Sequence, residues 1–252
     1  MPTALFLSPH LDDVAFSCGG TAARLSAAGW RCVVATAFTR SVPNPTGFAL
    51  ACQLDKGLPA DTDYMAIRRA EDAAACAALG AEAEWLDFPE APHRGYQSAT
   101  ELFAGVREED RIDRPLATEV SRLWQELRPD AVFAPQGVGN HVDHVQLIEA
   151  VRESLPADAV TWYRDAPYVI RRPAVLSAGW LLAATGWPLT LASTDLAAKL
   201  DACSAYRTQL AFQFGGEAGM RKQLTAFAEA EGRAGGTAEP AERFAGRVPG
   251  LM

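Results

Sequence analysis

Apolar and polar residues alternate along this chain in blocks of two lengths, and the lengths separate strands from helices. Thr3–Leu7 is a short apolar run that predicts a buried strand. Val14–Ala28 has helical spacing and is closed by Gly29. Trp30–Thr39 (WRCVVATAFT), rich in β-branched residues, predicts a second strand. Asp63–Leu79 repeats apolar positions at helical intervals and stops at Gly80, a residue suited to the left-handed position that ends helices. Ala83–Phe88 predicts a third strand, Pro115–Leu127 a helix with proline in its first turn, Asp130–Pro135 a fourth strand and His141–Ser154 a further helix. Two stretches broken by proline and glycine, Ser41–Asp61 and Pro89–Asp113, interrupt this order as long loops.

This alternation predicts an α/β fold: a Rossmann-like, mostly parallel sheet with helices on both faces. Beyond residue 155 the pattern loosens. Val160–Tyr163 predicts a short strand, and two apolar runs around Gly186-Trp187-Pro188 within Leu181–Ala192 predict a hairpin. Asp195–Phe212 and Glu217–Glu231 predict helices, and Gly232–Met252, rich in Gly, Ala, Pro and charge, a weakly structured tail. The expected organisation is a single domain over residues 1–231. Its α/β core occupies 1–155, a small C-terminal hairpin and helix extension 156–231, and the tail 232–252.

Composition narrows the function by exclusion. A chain of 252 residues with 49% apolar content suits one large domain with a full core. The net charge of −8, without a Lys/Arg cluster, speaks against a nucleic-acid partner. No apolar run reaches the ~18–20 residues of a membrane span. MPTALFLSPH lacks the basic region and the apolar length of a secretory signal. The five cysteines are scattered and form no CxxC, as expected of small core residues in a reducing compartment. The expectation is a cytoplasmic protein with a small polar ligand, and a homo-oligomer is compatible with this balance.

The chemistry concentrates in two places. Three of the four histidines lie in SPHLDDVAFSCGG (His10) and NHVDH (His141, His144), each following a predicted strand. In an open parallel sheet, ligands bind beyond the carboxyl ends of the strands, so the two segments can converge. His141 and His144, three apart on a helix, share a face. Imidazole and carboxylate together suit Zn²⁺, whose catalytic sites use three protein ligands and keep one position open. A two-histidine, one-carboxylate set also takes Fe²⁺. A carboxylate and a histidine then remain for proton transfer and oxyanion stabilisation. Capping alone would account for Asp13 or for Asn140 with Asp143. It does not account for three histidines and three aspartates at two strand ends.

PHLDDVAFSCGG resembles the PHxDD…GG signature of the PIG-L/LmbE-like zinc-dependent de-N-acetylases, and GNHVDH resembles their HxDH motif. IRRAE ahead of Leu79-Gly80, and Asp195–Gln209 with its D…K…Q spacing, are similar to further family features over Thr3–Gln209. The resemblance implies His10, Asp13 and His144 as zinc ligands and Asp12 as general base. It implies His141, protonated, as the histidine that steadies the oxyanion or acts as acid. Asp143 would orient a histidine, and Arg68 would hold part of the substrate. Leu11, Val14 and Val142 stand where the family commonly has proline, glutamate and proline. No ligand is lost, but the shape beside the metal changes.

The implied reaction is hydrolysis of the acetamide of an N-acetylglucosamine conjugate, of the malate or inositol type, to acetate and a free amine. The long loops would wall the sugar pocket, and His93 and Arg94 in APHRGYQS are further candidate substrate contacts. The competing enzyme reading is a zinc amidase on a non-sugar amide or thiol conjugate. A non-catalytic sugar-binding protein would lack a ligand or the base, and none is missing. A nucleotide-dependent transferase would need GxGxxG, which Gly19-Gly20 does not supply.

Overall fold

Among the described residues, seven strands form one sheet: β1 (Thr3–Ser8), β2 (Arg31–Thr36), β3 (Ala81–Trp85), β4 (Ala131–Pro135), β5 (Val160–Tyr163), β6 (Trp187–Thr190) and β7 (Ala241–Gly246). Their order is β3-β2-β1-β4-β5-β7-β6. The first five run parallel, while β7 is antiparallel to both β5 and β6. The computed structural model describes residues 1–171 and 186–247. Within them, no helix is long and apolar enough to cross a membrane.

Helices α1 (Asp13–Ala27), α3 (Tyr64–Leu79) and α7 (Ser193–Ser204) pack on one face. Helices α4 (Asp113–Leu127) and α5 (Val142–Ser154) pack on the other, and a single helical turn, α6 (Tyr168–Arg171), follows β5. Alternate strand residues feed the two cores, as the period of two requires. Phe6, Val34 and Phe133 meet α1, whereas Leu5, Val33 and Val132 meet α4 and α5. The reversal of strand order between β1 and β4 opens a crevice at their carboxyl ends, where both histidine segments emerge.

Several expectations are corrected. The first loop contains a short helix, α2 (Gly47–Leu54), hidden in the sequence by the prolines and glycines around it. The helix expected at Asp195–Phe212 is two, α7 and α8 (Arg207–Phe214), because Tyr206 turns inward to donate its hydroxyl to Asp72 Oδ1 at 2.7 Å. Of the hairpin expected at Leu181–Ala192, the described part holds β6, which pairs with β7; Leu181–Thr185 lies outside the described residues. The largest correction is the tail. After α9 (Glu217–Ala234) the chain returns as β7 and fills the gap between β5 and β6. Residues 248–252 lie outside the described residues.

A broken helix explains why β7 belongs there. Cys18 leaves helical geometry (φ −132°, ψ 26°) in the middle of α1. The groups freed by this break turn to side chains. Ser17 O accepts from Lys199 Nζ (3.1 Å), while the N–H groups of Gly20 and Thr21 donate to Glu242 of β7 (3.0 and 2.8 Å). Lys199 and Glu242, both buried, pair at 2.7 Å. Polar backbone groups in a core require partners, and this ion pair supplies them.

Candidate metal centre

β1 delivers His10 to the crevice and the start of α1 delivers Asp12 and Asp13. The N-terminus of α5 delivers His141, Asp143 and His144. Asp13 is the first residue of α1 and folds back, its Oδ2 accepting from His10 N–H at 2.9 Å. The same oxygen lies 3.3 Å from His10 Nδ1 and 3.2 Å from His144 Nε2. Donor atoms of His10, Asp13 and His144 all fall within 4.8 Å of one another; those of His10, His141 and Asp143 do so too.

Each of the two imidazoles beside Asp13 is fixed from behind by a carboxylate. His10 Nε2 donates to Asp143 Oδ2 (3.0 Å), and His144 Nδ1 donates to Asp165 Oδ1 (2.6 Å). Both point their remaining nitrogen at Asp13. His144 Nε2 is buried and has no hydrogen-bond partner among the described residues. This is the arrangement that second carboxylates impose on metal-bound histidines. Burial alone would lower the histidine pKa values. Instead Asp13 and Asp165 raise His144 to about 9, and Asp13 and Asp143 raise His10 well above the ordinary range. Against burial, the two histidines hold Asp13 well below the usual carboxylate range. The point between these three side chains favours positive charge, and their donor set fits a divalent cation such as Zn²⁺.

Asp12 sits at φ 152°, ψ −26°, a conformation L-residues rarely adopt and one of order 1–3 kcal/mol above the normal wells. That turn sends its carboxyl away from Asp13 and toward Arg68 NH2, 3.4 Å away. Burial pushes Asp12 up to about 7, partly offset by Arg68. Arg68 is itself held by Glu90 Oε1 (2.6 Å) and by the carbonyl of Leu11 (2.9 Å). His141 caps α5: its Nδ1 accepts from Asp143 N–H at 3.2 Å, which leaves the proton of the neutral ring on Nε2. Burial and, after it, the neighbouring His10 depress His141 to about 3.

A cavity of about 310 Å³ opens above these groups, bounded by both long loops and by the end of α8. His10, Asp12, Asp13, His141, Asp143 and Arg68 all reach it. Arg94 does not: it is buried against Asp110 and Asp143, so the expected substrate contact is corrected to an internal one. His93 lines a smaller adjoining cavity with Pro45 and Gln53, which shares Cys52, Tyr64, Glu90 and Pro92 with the main one. Asp143 grips His10 rather than His141. Asp165 went unrecognised in the sequence, although an acidic residue just past β5 lies at the same sheet edge as the motifs. Tyr64 and Tyr168, also unrecognised, line the cavity from separate segments, as does Gln209, the last residue of the D…K…Q feature.

Fold and site together define an α/β protein with a buried cluster of two histidines and one aspartate, able to hold a cation, at the switch point of its sheet. The chain belongs to the PIG-L family (GlcNAc-PI de-N-acetylase), whose profile matches residues 5–155. It is 35% identical over 175 residues to a 2'-N-acetylparomamine deacetylase of Streptomyces fradiae, covering 68% of this chain and 59% of that protein. To the 2'-N-acetylparomamine deacetylase of Niallia circulans it is 30% identical over 236 residues, covering 85% and 83%. Its fold is similar to that of the zinc-inhibited form of teicoplanin deacetylase Orf2, with TM-score 0.78, 23% identity and coverage of 96% and 97%.

Proposed function

We propose that this protein is a metal-dependent de-N-acetylase that hydrolyses the acetamide of an N-acetylated amino sugar carried on a larger conjugate. One observation carries the reading. In a PIG-L family chain, Asp12 lines one cavity together with His10 and Asp13, whose donor atoms cluster with that of His144 behind them. His10, Asp13 and His144 would hold the metal; two imidazoles and one carboxylate suit Zn²⁺, with Fe²⁺ as the competing ion. When bound, the metal supplies Lewis-acid polarisation of the carbonyl and a more acidic water.

Asp12 accepts a proton from the attacking water. The pKa near 7 that burial gives its carboxyl suits a base working at neutral pH. His141 donates its Nε2–H to the carbonyl oxygen as negative charge develops there, acting as a neutral donor. Asp12 then returns its proton to the departing nitrogen, so that water and amide become acetate and amine. Arg68 keeps the Asp12 carboxyl aimed at the cavity. The rings of Tyr64, Phe103 and Tyr168 offer apolar faces to a sugar, and Gln209 a hydrogen-bonding side chain.

The two curated relatives favour a 2-acetamido sugar within an aminoglycoside-type conjugate. N-acetylglucosaminyl-malate and N-acetylglucosaminyl-inositol are the competing members of the class. The test is release of primary amine from 2'-N-acetylparomamine, the malate and inositol conjugates, and simple N-acetylglucosaminides by Zn²⁺-loaded protein, with Asp12→Ala alongside. Release by wild type alone supports the reading and ranks the substrates. No release by metal-loaded protein from any sugar would move the assignment to a non-sugar amide.

A further inference from the structure

Behind the donor set lies an outer support that centres on Arg94, which does not line the cavity. Asp143, fully buried, accepts from His10 Nε2 and Ala91 N–H (3.1 Å) on Oδ2, and from Arg94 NH1 (2.7 Å) on Oδ1. The other edge of the Arg94 fork grips Asp110, with NH2 to Oδ2 at 2.9 Å and Nε to Oδ1 at 3.2 Å. NH1 also donates to the carbonyl of Pro89 (2.8 Å). Four of the five guanidinium donors are thereby used within the protein. The guanidinium stacks on Phe38 at 4.9 Å, and Phe38 packs against the His10 ring. Asp110 is pinned in turn by the hydroxyl of Tyr96 (3.0 Å).

We propose that Arg94 is a positioning residue of the metal centre. It fixes the Asp143 carboxylate, which holds His10 with Nδ1 turned toward Asp13, so metal affinity depends on a side chain that touches neither metal ligand nor substrate. The proposal rests on the metal reading above. Only a planar fork can bridge two carboxylates at these distances, which is why lysine is a poor replacement. Without Arg94 the buried Asp143 loses its charge partner, and His10 loses a rigid anchor. Changes to such outer partners weaken metal binding by about 10- to 100-fold.

The experiment is Zn²⁺ titration of the full chain against a competing chelator for wild type, Arg94→Met, Arg94→Lys, Asp143→Asn and the double variant Arg94→Met/Asp143→Asn. Thermal melts of the metal-free proteins report folding. Arg94→Met should weaken Zn²⁺ binding by about 10- to 100-fold, as should Asp143→Asn. The double variant should be within a few-fold of Asp143→Asn, because both changes break one chain of contacts. If Arg94→Met does not fold, Arg94→Lys carries the test, with weaker binding expected at an unchanged melting temperature. Wild-type affinity in Arg94→Lys and Arg94→Met, or in Arg94→Lys alone when Arg94→Met is unfolded, overturns the proposal. Fully multiplicative losses in the double variant do so too. A wild-type chain that takes up no Zn²⁺ removes the metal reading itself, a different failure.

Discussion

Replacing Glu242 by alanine removes the acceptor of four buried donors at once: Lys199 Nζ, Gly20 N–H, Thr21 N–H and Thr21 Oγ1, at 2.7, 3.0, 2.8 and 2.6 Å. Lys199 would keep only the carbonyl of Ser17, with 1% of its surface exposed. Removing one partner of such a buried pair costs about 3–5 kcal/mol, because an uncompensated charge stays behind. In a chain of this size each kcal/mol moves the melting temperature by roughly 2–4 °C, so Glu242→Ala should lower it by roughly 6–20 °C. Scanning calorimetry at neutral pH measures the shift. Lys199→Met combined with Glu242→Leu should recover part of the loss. The shortfall would be the three α1 donors still lacking an acceptor (Gly20 N–H, Thr21 N–H and Thr21 Oγ1) and the Ser17 carbonyl deprived of Lys199. A drop of less than about 3 °C would refute the reasoning: β7 would then be a detachable strip rather than the completion of α1.

Further outcomes concern the site. Asp12→Asn should lower kcat by about 10²- to 10⁴-fold in the amine-release assay while retaining metal by elemental analysis, and an unchanged kcat would place the base elsewhere. Asp165→Asn should weaken Zn²⁺ by about 10- to 100-fold, because His144 loses its anchor; chelator competition reads this, and wild-type affinity would dissolve the assignment. His141→Gln, which can still present an N–H, should keep more activity than His141→Ala. Its pH profile should keep the wild-type acidic limb, since His141, near 3, is already neutral there. An acidic limb that vanishes in His141→Gln would mean that His141 works protonated.

The α/β core and both motif segments were legible because their signals are local. A strand, a sharp turn and a helix follow one another within a few residues at SPHLDD and again at GNHVDH. What escaped depends on distance. Asp165 and Glu90 matter through the side chains opposite them, and nothing adjacent in sequence marks either. Arg94 and His93, neighbours in one loop, look like equivalent substrate contacts in the sequence; the fold buries Arg94 against Asp110 and Asp143 and sets His93 on a smaller adjoining cavity. Ala241–Gly246 reads as a polar tail because Glu242 and Arg243 stand in it, and a charge in a central strand is credible only once Lys199 is known to face it. The break at Cys18 is equally silent, since nothing in the residues around it announces that a helix will hand its hydrogen bonds to side chains.

The place of β7 bears on how the chain is made. It is the last strand in sequence among the described residues, yet not the last in space: β6 joins the sheet only through it. A chain emerging from the ribosome can pair β1 to β5 as each appears. It must then wait for about 80 further residues, roughly 4–16 s of synthesis, before the gap beside β5 closes. Until residue 246 is out, Lys199 lacks its counter-charge and the break in α1 lacks its acceptor. The helix that starts at Asp13 is therefore completed only after β7 has been made, long after the motif that opens it.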